Sequence, residues 1–577
     1  MELVKSIITL LAGLGVLMVG MKMLSEGLER SAGGGMRKLF GKISNNRFAG
    51  IGVGAVATVL VNSSAATTVM VIGFVNAGLM TLLQATSIIM GANIGTTLTG
   101  VLIALSGFDI GVFFAILAFI GVAITMIAKN DKVKFVGSAI AGLGLMFVAL
   151  SFMSTALNTS ETFSNGLRNI FTKVDFPLVL ILVGMVFTAL FQSSTAMTGL
   201  VVTMAAPTVI NGVAGAPIIS MQSALFVILG TNIGTCVTAL IASFGASTNA
   251  KRTGIIHLLF NTIGTVIFTT FIWIFQAQVV RIFNALTSSP QMQVALFHVF
   301  FNVITTAMLV PFIKPLTKLA TLLVREKEND ESVLKMQYID DRILHTPPIA
   351  VAQVLKEVQS MAVLARENLD RGFNAVITGS LAEREKIKKE EERINFINKG
   401  VARYLIKMAS LSLTHSDEKL VGSLHHVIGD LERIGDHAEN FLEEAEQMQE
   451  ADITFSDDAI GELENMYRKV QHMFDRSVYV FINRSTRDLK EISDLEAEID
   501  TQKRLLGNNH IMRLNNGNCS VESGTHFYAI ISALERVADH LTNMAFSIKS
   551  PSGSQMEAME KINRENARRR RGEEKKR

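Results

Sequence analysis

The chain has 577 residues, of which 49% are hydrophobic, and its formal net charge is only +3. This net charge says little about partners, and we expect no nucleic-acid partner. Two cysteines, one in each half, imply no disulfide framework. The charges are divided unevenly, because residues 1–325 hold 25 of the 105 Asp, Glu, Lys and Arg side chains and residues 326–577 hold 80. This asymmetry indicates two domains in two physical environments.

The N-terminal half has the composition of a membrane domain. Its first apolar segment, residues 7–23, has no small-residue cleavage site, so we expect a retained helix rather than a signal peptide. No charged residue occurs in residues 48–108 or 176–250. One helical crossing of a bilayer needs about 20 apolar residues, so each stretch is long enough for several crossings or hairpins. Residues 1–325 are therefore predicted to form a multi-pass membrane domain.

Two short signatures recur in the same order within this domain. NSSAATT at 62–68 is matched by QSSTAMT at 192–198, and GANIGTT at 91–97 is matched by GTNIGTC at 230–236. One pair could arise by chance among small residues, but two pairs at similar spacing indicate an internal repeat. The copies are placed at about 1–128 and 134–278, followed by an extra helix at 293–323.

The distribution of Lys and Arg predicts opposite orientations for the two copies, because cytoplasmic loops of membrane proteins concentrate these residues. One path satisfies the basic loops and leaves the charged half in the cytoplasm. Its segments are helix 3–25, the re-entrant hairpin 48–79, helices 82–106, 110–128 and 134–157, the re-entrant hairpin 176–207, and helices 216–246, 254–278 and 293–323. Inverted repeats are typical of secondary transporters, which bind substrate near the bilayer midplane between the repeats.

The hydroxyl and amide groups of the two hairpins predict a binding site for a small anion. A helix can break inside a bilayer only where it is buried in protein or lines a polar cavity. Asn, Ser and Thr are good N-cap residues, so each signature is expected to form a turn followed by a half-helix. The free N–H groups and positive dipole end of such a half-helix attract an anion. The predicted substrate-binding residues are Asn62, Ser63, Ser64, Gln192, Ser193, Ser194 and Thr195.

The GANIGTT and GTNIGTC segments predict sodium ligands. The Ser-rich signatures contain no Lys or Arg, so the charge of a bound anion needs an offset that co-bound cations can supply. We expect the glycines to unwind their helices, because unwound carbonyls with hydroxyl and amide oxygens suit Na⁺, a hard cation. The predicted sodium-binding residues are Asn93, Thr96, Thr97, Asn232 and Thr235.

Close helix packing is the alternative explanation for these residues, since Ser, Thr and Gly let membrane helices approach each other. An isolated Ser pair would favour packing, whereas paired signatures in inverted copies favour a binding site. Two histidines, His257 and His298, occur in predicted membrane helices, within the segments HLLFN and HVFFN. They could relay protons or bond the ligand, but hydrogen bonds that lock helix packing explain them equally well. They therefore stay outside the predicted site.

The NSSA and QSST signatures resemble the paired QSSS-type signatures of the type II sodium-dependent inorganic phosphate cotransporter family. The GANIGT, GTNIGT and HxxFN segments are similar to that family's as well. The resemblance covers roughly residues 1–325. It implies a sodium-coupled phosphate carrier with an inverted-repeat fold and an elevator-like movement. Asn62 stands where the family usually has Gln, and Ala65 where a third hydroxyl is common, which bears on sodium stoichiometry. Some family members resemble exporters, so the direction of transport stays open.

The charged half begins near a Thr-Pro-Pro boundary at 346–348 and contains a second repeat. DLERIGDHAEN at 430–440 matches ALERVADHLTN at 533–543, within long amphipathic helices. Helical periodicity and short loops predict two three-helix bundles in tandem. The expected divisions are a linker at 326–347, a helical domain at 348–550 and a disordered basic tail at 551–577.

A carboxylate pair occurs twice on these helices. Glu432 and Asp436 lie one turn apart, as do Glu535 and Asp539, and like charges at this spacing destabilise a helix. Keeping the pair twice suggests a counter-ion, either a Lys or Arg partner or a bound metal. A solvated face with ordinary salt bridges is the plainer alternative. The pattern resembles the PhoU domain, a regulator associated with phosphate transport. That resemblance implies that these four residues can hold a divalent or iron-type metal.

The sequence therefore predicts an all-α protein in which a polytopic membrane domain with two inverted repeats and re-entrant hairpins precedes a tandem three-helix-bundle domain. Its predicted activity is sodium-coupled symport of inorganic phosphate across the plasma (inner) membrane. The helical domain would be cytoplasmic and regulatory, with a surface for oligomerisation or a regulatory protein. No P-loop, Ser-His-Asp set or CxxC pair occurs in the charged half, so no enzyme is expected. The alternatives are a phosphate exporter or a carrier of another small anion and, in a different class, a membrane-anchored phosphate-signalling regulator.

Overall fold

The computed structural model describes residues 1–32, 39–40, 46–108, 111–174, 176–210, 213–325, 334–411, 413 and 415–549. The chain divides into two compact units. The membrane unit consists of Met1–Asn329 and Asp340–Ile349, and the helical unit of Asp330–Ile339 and Ala350–Arg577. The predicted tail at 551–577 and the first part of the predicted linker, 326–333, lie outside the described residues.

The described residues of the first copy form helices joined by short turns. Its helices are α1 (Glu2–Ala32), α2 (Arg47–Val61), α3 (Ser64–Asn76), α4 (Leu82–Ala104) and α5 (Gly111–Ile127), and α6 (Asp131–Thr159) opens the second copy. Among the described residues, six helical segments of the unit are long and apolar enough to cross a bilayer, and two of them, which begin at Glu2 and Leu82, are in the first copy. The predicted crossing at 110–128 corresponds to α5, which has 17 residues and is not one of the six.

The second copy repeats this order with additions. After α6 its elements are α7 (Glu161–Lys173), α8 (Pro177–Phe191), α9 (Ser194–Ala205), β1 (Pro207–Ile210), β2 (Val213–Pro217), α10 (Met221–Ser243) and α11 (Thr248–Ile274), and α12 (Gln276–Leu286), α13 (Pro290–Leu309) and α14 (Ile313–Leu323) follow. The sequence did not predict α7, α12 or the antiparallel β1–β2 pair. Arg168 of α7 fixes this pair, because its guanidinium donates to the carbonyl oxygens of Ala216 and Pro217 at 2.6 and 3.2 Å.

The glycines of the second signature serve close packing. Both α4 and α10 are continuous α-helices through these residues, so the expectation that they unwind is wrong. A Cβ added at Gly91 would lie 1.9 Å from the carbonyl oxygen of Ile51, and one at Gly230 would lie 2.0 Å from that of Ile181. Glycine is needed because α2 packs directly on α4 and α8 packs in the same way on α10. Each hairpin is thereby held against a long helix of its own copy.

The helical unit contains two three-helix bundles, as the sequence predicted. Its helices are α15 (Pro347–Thr378, in this unit from Ala350), α16 (Arg384–Ala409), α17 (His415–Glu450), α18 (Asp457–Asn483), α19 (Leu489–Asn515) and α20 (Val521–Phe546). In the first bundle Asn368 donates to the Ile387 carbonyl at 3.0 Å, which ties α15 to α16. The prediction of an all-α fold is confirmed, with the short β1–β2 pair of the membrane unit as an addition.

Candidate functional site

The first hairpin turns at Asn62, between α2 and α3. Asn62 has φ 53° and ψ 26°, a left-handed conformation that stops α2 and that Asn tolerates better than most residues. Ser63 is the N-cap of α3, and its hydroxyl oxygen accepts a hydrogen bond from the backbone N–H of Ala66 at 3.1 Å. Thr99 of α4 donates a hydrogen bond to the Asn62 side-chain oxygen, which holds the turn against α4.

The second hairpin has the same turn. Gln192 has φ 51° and ψ 27°, and Ser193 caps α9 by accepting from the backbone N–H of Ala196 at 3.1 Å. Gln has no particular preference for the left-handed region, and such strain persists only where the surrounding structure imposes it. Both signatures therefore form a turn with a Ser cap and a following helix, as the sequence predicted, and the structure adds a left-handed residue at each turn.

Both turns line one cavity of about 170 Å³ in the membrane unit. All seven predicted substrate-binding residues border it: Asn62, Ser63, Ser64, Gln192, Ser193, Ser194 and Thr195. Two chain segments separated by about 130 residues in sequence thus meet at one place. Packing alone would allow the two serine clusters to lie apart, so their convergence favours the binding-site explanation.

The cavity offers hydrogen-bond donors in an arrangement that suits an anion. The first N–H groups of α3 and α9 have no acceptor within their own helices, and each N-cap serine satisfies only one of them. Because the Ser63 and Ser193 oxygens accept those bonds, their hydroxyl protons stay available to donate to a ligand. Two helix N-termini at one cavity also place two positive dipole ends there. The site therefore favours a compact oxyanion.

The predicted sodium residues divide into two groups. Thr96 and Thr235 line the cavity. Asn93, Thr97 and Asn232 do not line it, and each bonds within its own helix. The Asn93 and Asn232 amides donate to the carbonyls of Ile89 and Ile228 at 3.0 and 3.3 Å, and Thr97 donates to that of Ile94 at 2.7 Å.

Three residues of α1 that the sequence analysis did not include also line the cavity, namely Met21, Lys22 and Ser25. Ser25 donates a hydrogen bond to the carbonyl of Val61, the last residue of α2. The Lys22 side chain is 76% exposed and its Nζ lies 3.8 Å from a Glu26 carboxylate oxygen. The cavity therefore has one basic side chain at its border, although the two signatures contain no Lys or Arg. No spacing within α1 marks these three residues as cavity residues.

The two membrane histidines lie outside the cavity lining. His298 is 2% exposed, and its Nε2 is 3.5 Å from the Asn232 side-chain oxygen. His257 is fully buried, and neither of its ring nitrogens has a partner among the described residues. These positions agree with leaving both histidines out of the predicted site.

The repeated carboxylates of the helical unit lie in two acidic groups. Burial, followed by repulsion from Glu439, Asp436 and Glu432, raises the pKa of Glu391. In the second bundle, burial, followed by repulsion from Asp539, Asp500 and Glu535, raises the pKa of Glu496 to about 7.

The acidic groups have one basic partner and no arrangement of side chains that could hold a metal among the described residues. Lys503 pairs with Glu535 at 2.9 Å, so one of the carboxylates has a basic partner. Among the described residues, no three His, Cys, Asp or Glu side chains are arranged to hold a metal ion. The carboxylates of Glu432, Asp436, Glu535 and Asp539 are thus close enough to other acids to repel them, yet are not in ligand geometry.

Family models match both halves of the chain. The Na⁺/Pi-cotransporter family model matches residues 16–155 and 157–292, and the PhoU domain model matches residues 358–445 and 463–548. The relative named "Putative inorganic phosphate export protein YjbB" from Escherichia coli (strain K12) is 26% identical over 551 residues, which is 94% of this chain and 97% of the relative.

Two shorter likenesses concern one half each. "Sodium-dependent phosphate transport protein 2A" from Ovis aries is 46% identical over 63 residues, 11% of this chain and 10% of that protein. The crystal structure of PhoU from Pseudomonas aeruginosa is 19% identical with a TM-score of 0.33, and the match covers 35% of this chain and 96% of that one.

Proposed function

Because residues 16–292 of the chain belong to the Na⁺/Pi-cotransporter family, we propose that this membrane protein carries inorganic phosphate across the bilayer with sodium as the coupling ion. Phosphate binds in the cavity between the two hairpin turns. The observation that carries the proposal is that both serine signatures, from different copies, line one cavity. Inverted-repeat carriers bind their substrates at such a junction.

Phosphate fits the donors of this cavity. Its oxygens accept hydrogen bonds from the hydroxyls of Ser63, Ser64, Ser193 and Ser194 and from the first N–H groups of α3 and α9. Lys22 supplies one positive charge at the cavity, but the side chain is largely solvated and already faces Glu26. A phosphate dianion therefore still needs cations to offset its charge.

Sodium supplies that offset in this proposal. Thr96 and Thr235 are the proposed ligands on the cavity side, since hydroxyl oxygens suit a hard cation. Asn93, Thr97 and Asn232 stay in the proposed sodium set as neighbours on the same helices, and the bonds within their helices would have to exchange for the ion. The name of the matched family and that of the sheep relative support sodium as the coupling ion.

Flux measurements in proteoliposomes test both parts of the proposal. The purified full chain is reconstituted, and labelled phosphate movement is followed with an inward sodium gradient and with an equal potassium gradient. We expect phosphate flux that depends on the sodium gradient and that unlabelled phosphate abolishes. Flux that sulfate blocks equally well would identify a carrier of another anion, and flux indifferent to sodium would remove the coupling.

Export is the second candidate for the direction of transport. It is favoured by one observation, namely that a relative matching 94% of the chain is named as a phosphate export protein. Proteoliposomes preloaded with labelled phosphate distinguish the two directions. The orientation of the protein is determined with a membrane-impermeant protease, which cuts the helical unit only where that unit faces the outside of the vesicle. Efflux through molecules in the native orientation, with little uptake, would establish export.

The helical unit, with its two PhoU domains, is proposed as a cytoplasmic regulatory module at the plasma (inner) membrane. Its two acidic groups are proposed to bind a divalent or iron-type cation after side-chain rearrangement. Glu432 and Asp436 in one bundle and Glu535 and Asp539 in the other would be the ligands. Metal analysis of the full-length protein and of the variant carrying both Asp436→Ala and Asp539→Ala tests this proposal. Equal metal content in the two proteins would reject it.

A further inference from the structure

A polar cavity of about 340 Å³ occupies one end of the second bundle. It lies where α19 ends and where α18 and α20 begin, and it is termed here the bundle-end cavity. His510 and Arg513 of α19 line it, together with Cys519 and Ser520 just before α20. The cavity is remote in sequence from the hairpin signatures and uses none of the carboxylates of the two acidic groups.

Arg513 has unused hydrogen-bond donors. Its Nη1 donates to the Glu462 carboxylate at 2.8 Å, whereas Nε and Nη2 are buried and have no acceptor among the described residues. The Nε–H and Nη2–H groups share one edge of the planar guanidinium, which matches two oxygens of a carboxylate or phosphate. The guanidinium also lies over the Phe527 ring at 5.2 Å, which restricts its orientation. The residue is thus held in place with one edge unsatisfied.

His510, which also lines this cavity, has a second buried polar atom without a partner. It is only 3% exposed, its ring stacks on Phe527 at 5.0 Å, and its Nδ1 has no partner in the described part of the chain. Its other ring nitrogen, Nε2, is 3.8 Å from the sulfur of Cys519, which also lines the cavity. A buried polar atom without a partner costs free energy of folding, and a bound ligand that bonds to this ring would remove that cost.

The start of α20 adds a positive dipole end. Ser520 is the N-cap of this 26-residue helix and accepts from the backbone N–H of Ser523 at 3.0 Å. The preceding N–H groups of the helix have no acceptor within it, and they lie beside Ser520 at the cavity. A helix start alone would not define a site, but it coincides here with Arg513 and His510.

The first bundle shows that packing does not require these polar residues. EERINFI at 391–397 matches EAEIDTQ at 496–502, and this register makes Leu405 and Met408 of α16 equivalent to His510 and Arg513 of α19. Both Leu405 and Met408 are fully buried, so the same position in the first bundle is filled by apolar side chains. In the second bundle, His510 and Arg513 take the place of these apolar side chains, and a cavity lies beside them.

We propose that the bundle-end cavity binds a small phosphate-class oxyanion, either free inorganic phosphate or the phosphoryl group of a nucleotide. Arg513 holds two oxygens of the anion, His510 donates to a third, and the start of α20 stabilises the charge. Two carboxylates, Asp452 and Glu522, also line the cavity, but both side chains are exposed and therefore screened by water. The proposal is independent of whether the membrane unit transports phosphate.

Cysteine labelling reports on this cavity in the full-length protein. The chain has two cysteines, and Cys236 is fully buried in α10, so a maleimide reagent reports on Cys519. Cys519→Ser serves as the labelling control. The labelling rate is measured in detergent at constant ionic strength with chloride, sulfate, inorganic phosphate or ATP. We expect phosphate or ATP to slow labelling in a saturable manner, and the more potent of the two identifies the source of the anion.

Variants separate binding at this cavity from other effects. Arg513→Met and His510→Leu copy the first bundle and should fold, which thermal unfolding verifies. Each should raise the protecting concentration at least about tenfold, as expected when a hydrogen bond to a charged group is lost. Glu522→Gln should change that concentration little, because this carboxylate is exposed and screened by water. Protection should persist in the variant carrying Ser64→Ala and Ser194→Ala, whose hairpin site is altered. Labelling that no phosphate compound slows, or protection unchanged in folded Arg513→Met, would overturn the proposal.

Discussion

Asn76, the last residue of α3, donates a hydrogen bond from its side-chain nitrogen to the Asp340 carboxylate at 2.5 Å. Its side-chain oxygen accepts a second bond from the backbone N–H of Ser247 at 2.7 Å. The helix that begins at the cavity between the two hairpin turns therefore ends on a carboxylate from the segment after residue 333. Within the membrane unit, one amide joins the first copy, the second copy and this segment.

Arg342 reinforces the same junction. Its guanidinium pairs with Asp340 at 2.7 Å and donates to the carbonyl oxygens of Ala242 and Phe244 at 2.5 and 3.0 Å. These two carbonyls stand at the C-terminal end of α10, where a cation is favourable. If α3 moves relative to α10, these hydrogen bonds must therefore either break or move together with α3 and α10.

Replacing Asp340 with Ala should destabilise the membrane unit. The carboxylate is 6% exposed on its side chain, and its removal leaves Asn76 and Arg342 without a common acceptor. We expect a loss of about 2 kcal/mol, typical of hydrogen bonds to a buried charged group. The thermal unfolding midpoint in detergent measures it. Asp131→Ala, at a carboxylate that is 55% exposed, is the matched control, and equal midpoints for the two variants would contradict the expected role of Asp340.

Removing hydroxyls from the cavity should lower transport strongly while the fold is kept. Ser64 and Ser194 line the cavity but do not carry the cap bonds, which belong to Ser63 and Ser193. Each of Ser64→Ala and Ser194→Ala should lower phosphate flux at limiting substrate at least about tenfold, because one donor to a charged ligand is lost. Ser151→Ala, at an exposed residue of α6, is the control and should keep full flux.

The same variants test the signalling alternative. A membrane-anchored regulator with little transport would tolerate both alanines and would instead lose its function when the helical unit is removed. Normal phosphate flux in Ser64→Ala together with Ser194→Ala would therefore reject the cavity as the transport site.

Adding one methyl group to a signature glycine should be more damaging than its size suggests. A Cβ at Gly91 would overlap the backbone of α2, and backbone cannot move aside as a side chain can. We expect Gly91→Ala to cost about 3 kcal/mol or more in unfolding free energy. Gly52 on α2 has no atom within 4 Å of its added Cβ, so Gly52→Ala should be neutral or stabilising by about 0.5–1 kcal/mol. Thermal unfolding of both variants measures the difference, and similar midpoints would contradict the packing role of Gly91.

The hairpins could be predicted from the sequence because their determinants are local. The Asn or Gln at the turn and the Ser that follows it act on N–H groups a few residues away, so the signature itself encodes the turn. Their convergence followed from one long-range fact that the sequence does carry, the duplication of the signature. Intrinsic propensity misled at Gly91 and Gly230, where close packing against a neighbouring helix overrides the tendency of glycine to unwind.

The other misses are long-range contacts without a sequence pattern. Lys22 and Ser25 reach the cavity because α1 packs beside the hairpins, and no spacing within α1 indicates which helix it meets. Glu391 and Glu496 join the acidic groups from a different helix of each bundle, so the i, i+4 spacing of the repeated pairs could not include them. Local rules predicted the elements, and tertiary packing decided which side chains share a site.

Glu496 should make the helical unit less stable at alkaline pH. Burial and the carboxylates of Asp539, Asp500 and Glu535 raise its pKa to about 7 from the ordinary value of 4.5. The folded state therefore holds the proton more tightly than the unfolded state. The contribution of Glu496 to the free energy of unfolding is greatest below pH 4.5 and falls as the pH rises from 4.5 to 7. Above pH 7 the charged carboxylate lowers the free energy of unfolding by a constant amount.

Glu496→Gln keeps the shape of the side chain and removes this titration. The variant should therefore unfold at a higher temperature than the native protein at pH 8, and the midpoints should approach each other as the pH falls towards 5. Differential scanning calorimetry of the full chain across this pH range measures the effect. Glu498→Gln is the matched control, because Glu498 pairs with Lys469 at 3.4 Å on an exposed surface and should show no such gain at pH 8. The neutral amide removes repulsion, so it must raise the free energy of unfolding wherever the carboxylate is charged. An unfolding midpoint for Glu496→Gln at pH 8 that is equal to or below that of the native protein would therefore show that the acidic group of the second bundle does not destabilise the fold.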